Sequence, residues 1–270
     1  MRSTKAPSMA AKLYVFDLDG VIYRGTESQA HSREIIEHLK SLGHIIRYLT
    51  NNSSKTRQTY SAKLSSMGIP ATVDEIMTSS YAAALYFAET NAVGKTVYVI
   101  GERGITEELT KAGMNIITGG DDPDAHVDFV VAGMDRQFNY QKLARAQDAI
   151  LHGARFIATN EDATFPVEGG RLMPGAGTIT AAIRAATSVE PFVVGKPQLY
   201  AFEKILQLTG VPAQRTVVIG DRLTTDVLVG NRAGAETVLV LTGCTSREEA
   251  DAAEGEMKPH RIIDTLAELV

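Results

Sequence analysis

The chain has 270 residues, of which 44% are hydrophobic and 22% are charged, and this globular composition argues against intrinsic disorder. Its 27 basic and 32 acidic residues give a net charge of -5, so general nucleic-acid binding is not expected. Cys244 is the one cysteine, which excludes an intrachain disulfide and fits a reducing compartment. The length allows one large domain or two modest ones.

The apolar runs of the chain are short. None approaches the roughly 18 to 20 residues that a membrane-spanning helix needs. The first ten residues contain Arg2, Lys5 and Pro7 and lack the apolar core of a signal peptide. We therefore expect a disordered leader over residues 1–11, a cytoplasmic location and no membrane partner.

Short aliphatic runs alternate along the chain with patterns of helical period. Ile35, Ile36, Leu39 and Leu42 share one helical face, and Gly43 follows where a helix C-terminus is expected. The predicted strands are Leu13–Phe16, Ile45–Leu49, Val97–Ile100, Phe129–Ala132, Phe156–Ala158, Phe192–Val194, Val217–Ile219 and Val238–Leu241. Strands separated by helices predict an α/β fold, a doubly wound, Rossmann-like parallel sheet with helices on both faces.

Polar residues follow four of these predicted strands. In chain order the segments are Asp17-Leu18-Asp19-Gly20, Thr50-Asn51-Asn52, Gly195-Lys196-Pro197 and Gly220-Asp221 with Thr225-Asp226 after it. Any one of them is an ordinary turn sequence. Ligands bind beyond the carboxyl ends of parallel strands, so the four segments together predict a site at one edge of one sheet.

The residue types in these segments suit phosphate chemistry. Asp17 and Asp19 are two apart, which places both side chains on the same side, and a divalent cation would relieve their repulsion. Hard oxygen ligands favour Mg²⁺, and Asp221 and Asp226 supply more of them. Lys196 would bind an anionic substrate. An acidic metal site beside donors for anionic oxygens is typical of phosphoryl transfer.

The same segments resemble the four motifs of the haloacid dehalogenase-like (HAD) superfamily, in order. Asp17-Leu18-Asp19-Gly20-Val21 is similar to the first motif, and Thr50, Lys196 and Gly220-Asp221 with Thr225-Asp226 are similar to the others. Thr50-Asn51-Asn52-Ser53 and Val194-Gly195-Lys196-Pro197 resemble the NagD-like, p-nitrophenylphosphatase-type branch. The resemblance covers nearly the whole chain from about Lys12 onward.

The resemblance implies a Mg²⁺-dependent phosphomonoester hydrolase that acts on small phosphometabolites. Asp17 would be the nucleophile that forms an aspartyl-phosphate, and Asp19 would protonate the leaving group and then activate water. Lys196 would neutralise charge on the nucleophile and phosphate. Thr50, with Asn51 and Asn52, would bind phosphoryl oxygens. Mg²⁺ would be held by Asp17, the Asp19 carbonyl and Asp221, with Asp226 bound directly or through water.

The spacing of the motifs predicts a second domain. Thr50 and Lys196 are 146 positions apart, far more than one βα unit uses. In this superfamily such an insertion is a C2-type cap domain, expected here over residues 83–182, with the HAD-like catalytic core in 12–82 and 183–270. Cap residues would select the substrate. Asn160 and Asp162, after a predicted cap strand, are either substrate contacts or a turn that caps the next segment.

Alternatives from other classes are a receiver-like signalling module and a catalytically silent or regulatory phosphate-binding protein of the same fold. The long insertion argues against the compact receiver, and the presence of both Asp17 and Asp19 argues against the silent protein. The pattern does not name the substrate, and it leaves the oligomeric state open, with a homodimer among the alternatives.

Overall fold

The structure is a computed structural model that describes residues 11–119, 125–166 and 171–270, so the expected leader, Ala11 excepted, lies outside the described residues. The strands are β1 (Leu13–Phe16), β2 (Tyr23–Arg24), β3 (Glu27–Ser28), β4 (Ile45–Thr50), β5 (Ile76–Thr78), β6 (Thr96–Ile100), β7 (Asn115–Thr118), β8 (Phe129–Ala132), β9 (Arg155–Ala158), β10 (Thr164–Pro166), β11 (Leu172–Pro174), β12 (Phe192–Val193), β13 (Thr216–Gly220), β14 (Glu236–Val240) and β15 (Arg261–Ile263). The α-helices are α1 (Ser32–Ser41), α2 (Arg57–Ser66), α3 (Ser79–Glu89), α4 (Arg103–Lys111), α5 (Tyr140–Leu151), α6 (Ala176–Thr187), α7 (Tyr200–Thr209), α8 (Leu228–Ala233) and α9 (Arg247–Asp251).

The chain divides into two compact units. The first contains the residues up to Thr50, Ser61–Met77 and Lys196–Val270, and the second contains Asn51–Tyr60 and Thr78–Gly195. The segment expected as a cap, 83–182, lies within the second unit, which also takes in shorter stretches on both sides of it. Among the described residues, no helix has the length and apolarity needed to cross a membrane.

The first unit is built on a six-stranded sheet in the order β15-β14-β13-β1-β4-β5. The pairings of β1 with β4 and β13, and of β14 with β13 and β15, are all parallel. Every residue of β1 and β13 is buried, which is why both read as continuous apolar runs. From β1 the chain goes to β4 on one side and later returns to β13 on the other, so the sheet has a topological switch point beside β1.

The second unit has its own five-stranded sheet in the order β12-β9-β8-β6-β7, parallel at every pairing. Its core includes Tyr98, Val130 and Phe156 from the strands and Ile150 and Ile183 from α5 and α6. The mixed α/β architecture with parallel sheets agrees with the predicted fold class.

One strand expected in the core sheet belongs elsewhere. We predicted that Phe192–Val194 ends at the same sheet edge as the other motif strands. Instead, Phe192 and Val193 pair with Ile157 and Ala158 of β9 in the sheet of the second unit. The prediction was wrong because a short apolar run specifies a buried strand but does not specify which of two parallel sheets it joins. Lys196 therefore follows a strand of the second unit and is itself the first residue of the returning first unit.

Candidate active site

The first acidic segment begins where β1 ends. The backbone N–H of Asp17 donates to the carbonyl of Ile219 at 2.8 Å, which extends the parallel pairing of β1 with β13 by one residue. Its side chain is 12% exposed. The strand pairing thus fixes the Asp17 backbone and sets its carboxylate at the carboxyl edge of the sheet, beside the switch point.

The second acidic segment follows β13 in the same way. Asp221 comes directly after Gly220, and a π-helical turn over Leu223–Val227 carries Asp226 back toward the strand. A Cβ at Gly220 would lie 2.0 Å from the Cβ of Asp226, so only glycine permits this approach. Asp226 also accepts a hydrogen bond from the backbone N–H of Arg222 at 3.2 Å. Both carboxylates are almost fully buried.

Lys196 joins the two acidic segments. Its buried ammonium donates to Oδ1 of Asp17 and to Oδ1 of Asp226, both at 2.6 Å, and to the carbonyl of Leu49 at 3.0 Å. Burial lowers the pKa of Lys196, but the Asp17 and Asp226 carboxylates outweigh burial and raise the pKa above its ordinary value. The lysine is therefore a permanent positive charge between two carboxylates.

Three carboxylates of the site lie close enough together to hold one metal ion. One oxygen from each of Asp17, Asp221 and Asp226 lies within 4.8 Å of the other two. Burial raises the pKa of Asp17 well above its usual range, and Asp226 and Asp221 raise it further, although Lys196 opposes them. Burial and the charge of Asp226 raise the pKa of Asp221 to about 6. One ammonium does not neutralise three buried carboxylates, so a divalent cation fits this donor set.

Asp19 has a different surrounding. Its carboxylate is not one of the three clustered groups, and its Oδ2 accepts a hydrogen bond from the hydroxyl of Tyr23 at 3.4 Å. Its carbonyl as a metal ligand stays a prediction. Thr50, the last residue of β4, is buried at the carboxyl end of the strand next to β1, and its role as a phosphate donor stays a prediction.

The other predicted site residues lie in the second unit. There the Asn51 amide donates to both oxygens of Asp162 at 3.1 Å, and the amide of Asn160 donates to the Asn51 carbonyl at 2.7 Å. Asn52 accepts hydrogen bonds from the backbone and hydroxyl of Ser54 at 3.1 and 2.7 Å. Asp162 and Asn160 thus brace the residue that directly follows Thr50, which the turn interpretation of their sequence did not foresee.

The segment after β14 also contacts the site through Asp221, and it was not among the predicted site residues. The backbone N–H of Cys244 donates to Oδ2 of Asp221 at 2.8 Å, and the hydroxyl of Thr245 donates to the Asp221 carbonyl. A Cβ at Gly243 would lie 1.9 Å from Oδ2 of Asp221. The signal was present, because Thr242-Gly243 follows a predicted strand and glycine there allows a backbone to approach a ligand residue closely.

Comparison with known proteins agrees with the geometry. Residues 14–115 match a family model described as haloacid dehalogenase-like hydrolase, and residues 193–269 match one described as HAD-hydrolase-like. The chain is 39% identical over 259 residues to the 5'-nucleotidase YutF of Bacillus subtilis, covering 96% of this chain and 97% of the relative.

Solved structures give the same result along the whole chain. A p-nitrophenyl phosphatase from Archaeoglobus fulgidus superposes with a TM-score of 0.87 at 36% identity, covering 96% of this chain and 98% of the other. A glycerol phosphate phosphatase from Mycobacterium tuberculosis, solved in complex with magnesium, has a TM-score of 0.84 at 30% identity, covering 96% and 76% of the two chains. The chain belongs to the haloacid dehalogenase-like hydrolases, in their NagD-like, p-nitrophenylphosphatase-type branch.

Proposed function

We propose that the protein is a Mg²⁺-dependent phosphomonoester hydrolase in which Asp17 is the nucleophile and Asp19 the acid and base. The observation that carries the proposal is the buried Lys196 ammonium, 2.6 Å from both Asp17 and Asp226, beside a cluster of three carboxylates. With a divalent cation bound, the charges of the three carboxylates would be neutralised, so that an anionic phosphoryl group would meet the Lys196 ammonium and the cation and not a net negative charge. The retained pair of Asp17 and Asp19 does not favour a catalytically silent protein.

The chain's own residues account for both chemical steps. Lys196 favours the ionised form of Asp17, whose carboxylate attacks phosphorus while Asp19 protonates the departing oxygen. Asp19, now ionised, then takes a proton from the water that hydrolyses the aspartyl-phosphate. Asp17, Asp221 and Asp226 would hold Mg²⁺, which when bound supplies positive charge against the phosphoryl oxygens. Thr50 and Asn51 are proposed as donors to the phosphoryl group, with Asn52 beside them.

The activity test uses p-nitrophenyl phosphate. We expect phosphate release with Mg²⁺, near-complete loss with EDTA, and loss of turnover in Asp17→Asn, because an amide does not form the acyl-phosphate. The variant Asp251→Asn, an exposed carboxylate in α9, is the matched control and should keep full activity. Full activity of Asp17→Asn in a preparation free of contaminating phosphatase contradicts the mechanism.

The substrate class is proposed as a small phosphorylated metabolite. The relatives described above carry the names 5'-nucleotidase, p-nitrophenyl phosphatase and glycerol phosphate phosphatase, which share a phosphate monoester and differ in the rest of the molecule. A panel of nucleoside, sugar and glycerol phosphates assayed with Mg²⁺ ranks the candidates. A flat ranking, equal for every ester, contradicts a dedicated small-metabolite enzyme.

We further propose that the second unit selects the substrate, with Asn160 and Asp162 as candidate contacts. Because both also brace Asn51, their variants separate two roles. If Asp162 contacts the substrate, Asp162→Asn should change the ranking of the esters in the panel. If Asp162 only holds Asn51 in place, the variant should lose the same fraction of its activity with every ester.

Two further expectations belong to the same proposal. A homodimer in solution is tested by light scattering coupled to size-exclusion chromatography, and a monomer mass contradicts it. A cytoplasmic location is tested by fractionation of the source cells.

A further inference from the structure

Tyr23 is a buried tyrosine that none of the four motifs assigns to the site. It begins β2, four residues after Asp19, and its side chain is 0% exposed. Two backbone bonds fold this segment back on the first motif: Tyr23 N–H to the Leu18 carbonyl at 3.2 Å, and Gly20 N–H to the Tyr23 carbonyl at 2.8 Å. These bonds hold the backbone of Tyr23 beside the first motif, and with it the base of the Tyr23 side chain.

The hydroxyl of Tyr23 meets the carboxylate of Asp19. It donates to Oδ2 at 3.4 Å, a long bond that joins a fully buried tyrosine to a half-buried carboxylate. Phenol is a one-proton donor, so the bond distinguishes the two oxygens of Asp19. Oδ2 accepts from the phenol, so this bond ties one of the two carboxylate oxygens of Asp19 to the Tyr23 side chain.

A cation lies on the face of the same ring. The ammonium of Lys63, from α2, is 3.2 Å from the centroid of the Tyr23 ring. Both residues belong to the first unit. A cation over an aromatic face attracts its π electrons, which makes the hydroxyl at the ring edge a stronger hydrogen-bond donor. Lys63, Tyr23 and Asp19 therefore form one chain of contacts that ends at the carboxyl group.

We propose that Tyr23 is a positioning residue for Asp19, and that its hydroxyl, strengthened by Lys63, holds the carboxyl in one orientation through both proton transfers. The inference rests on the role proposed for Asp19. A carboxyl free to rotate would present either oxygen to the leaving group, and a misplaced proton donor costs most where the leaving group is most basic.

The experiment compares two esters of similar shape, p-nitrophenyl phosphate and phenyl phosphate, whose leaving groups differ in basicity. Rapid-quench measurements under single-turnover conditions give the rates of phosphoenzyme formation and decay. In Tyr23→Phe we expect formation from phenyl phosphate to slow about five-fold more than formation from p-nitrophenyl phosphate. Decay should slow equally with both esters, because the same phosphoenzyme is hydrolysed.

The controls separate positioning from a general structural effect. Tyr48→Phe removes the hydroxyl of another fully buried tyrosine of the first unit, one that has no hydrogen-bond partner within the described residues, and should leave both esters unchanged. Lys63→Met should also slow phosphoenzyme formation more with phenyl phosphate than with p-nitrophenyl phosphate, but by a smaller factor than Tyr23→Phe. Lys63→Arg keeps a cation on the ring and should form the phosphoenzyme at the wild-type rates. In the double variant, adding Lys63→Met to Tyr23→Phe should not increase the difference between the two esters in the rate of phosphoenzyme formation.

Asp19→Asn makes the possible failures distinguishable. If Asp19→Asn discriminates strongly between the esters and Tyr23→Phe does not, the positioning role is overturned while the role of Asp19 stands. If neither variant discriminates, Asp19 is not the acid and both are overturned. Should Tyr23→Phe fail to fold, Lys63→Met alone decides, and equal rates for both esters in that variant overturn the inference.

Discussion

At the scale of single residues, the site depends on the balance between three buried carboxylates and one buried ammonium. Lys196 contacts two of the carboxylates directly, and Asp221 is held instead by the backbone N–H of Cys244. Burial raises the pKa of Asp17 and of Asp221, so the partners of these two carboxylates offset only part of the cost of burying them. Substitutions should therefore act differently on activity and on stability, and pH should separate the two effects.

Lys196→Met tests the ammonium. Without the lysine the Asp17 carboxylate, whose pKa already lies well above its usual range, becomes still harder to ionise. In EDTA we expect a loss of about 3–5 kcal/mol in the free energy of unfolding near pH 8, the range for breaking a buried ion pair. The loss should shrink as pH falls, because protonated carboxyls no longer need the ammonium. Turnover should fall at every pH.

The control is Lys12→Met, which removes an exposed lysine paired with Glu236 and should cost less than about 1 kcal/mol. Denaturant unfolding at the two pH values measures both variants. A loss for Lys196→Met that does not change with pH contradicts this account of the carboxylates.

Asp221 gives a second pH-dependent prediction. Its pKa is about 6 in the folded protein without metal, against 3.8 for an ordinary aspartate. As pH rises, the folded protein therefore keeps the proton on Asp221 to a higher pH than the unfolded chain does. This group's contribution to stability should therefore fall as pH rises from about 4 to about 6, by on the order of 3 kcal/mol. Asp221→Asn removes that fall, so in EDTA the variant should be more stable than the wild type near pH 8.

Mg²⁺ should reverse the order, because it binds and stabilises the folded wild type and not the variant. Thermal unfolding with EDTA and with Mg²⁺, at both ends of the pH window, measures the effect. Equal Mg²⁺ stabilisation of wild type and Asp221→Asn would show that Asp221 is not a metal ligand.

At the scale of secondary structure, the strand ends place the site. β1 and β13 are neighbours in the sheet, and each is followed at once by an aspartate. The π-helical turn after β13 adds Asp226, and its close packing on the strand requires Gly220. The candidate metal site is thus formed by the ends of two paired strands and by one turn.

Gly220→Ala tests this element. The added methyl would overlap Asp226 and force the π-helical turn away from β13. We expect loss of Mg²⁺-dependent activity and of Mg²⁺-induced thermal stabilisation, with the fold retained by circular dichroism. Gly43→Ala, at a glycine with φ of +80° and open space around it, should cost stability alone. Wild-type Mg²⁺ stabilisation in Gly220→Ala would contradict the prediction.

The positions of most strands, and of the site residues that follow them, were predictable from the sequence. Buried parallel strands are apolar runs, and polar residues follow their ends. Three features were not predictable. The two-residue β12 joins another sheet than expected, and the short edge strands β5 and β15 carry too few residues for a periodic signal. Leu42, predicted to share one helical face with Ile35, Ile36 and Leu39, comes directly after α1 and is 57% exposed, whereas the other three residues are buried.

At the scale of the whole molecule, most of the long interval between Thr50 and Lys196 belongs to a second unit with its own parallel sheet and core, and Ser61–Met77 belongs to the first unit. The motif spacing predicts a second domain in this interval, since one βα connection needs far fewer residues, and the cap bounds 83–182 stay a prediction. The hydrogen bonds of Asn51 with Asp162 and Asn160 could not be predicted from the sequence, because they join residues more than a hundred positions apart.

The proposed mechanism requires that the substrate transfers its phosphoryl group to the carboxylate of Asp17. This step is tested by trapping the aspartyl-phosphate. The enzyme is mixed with p-nitrophenyl phosphate and Mg²⁺, quenched in acid within one turnover, digested and analysed by peptide mass spectrometry. We expect one phosphoryl group on the Asp17 carboxylate, absent from Asp17→Asn and longer-lived in Asp19→Asn. Rapid turnover with no phosphoryl group on Asp17 at any quench time, or with the group on another residue, would contradict it.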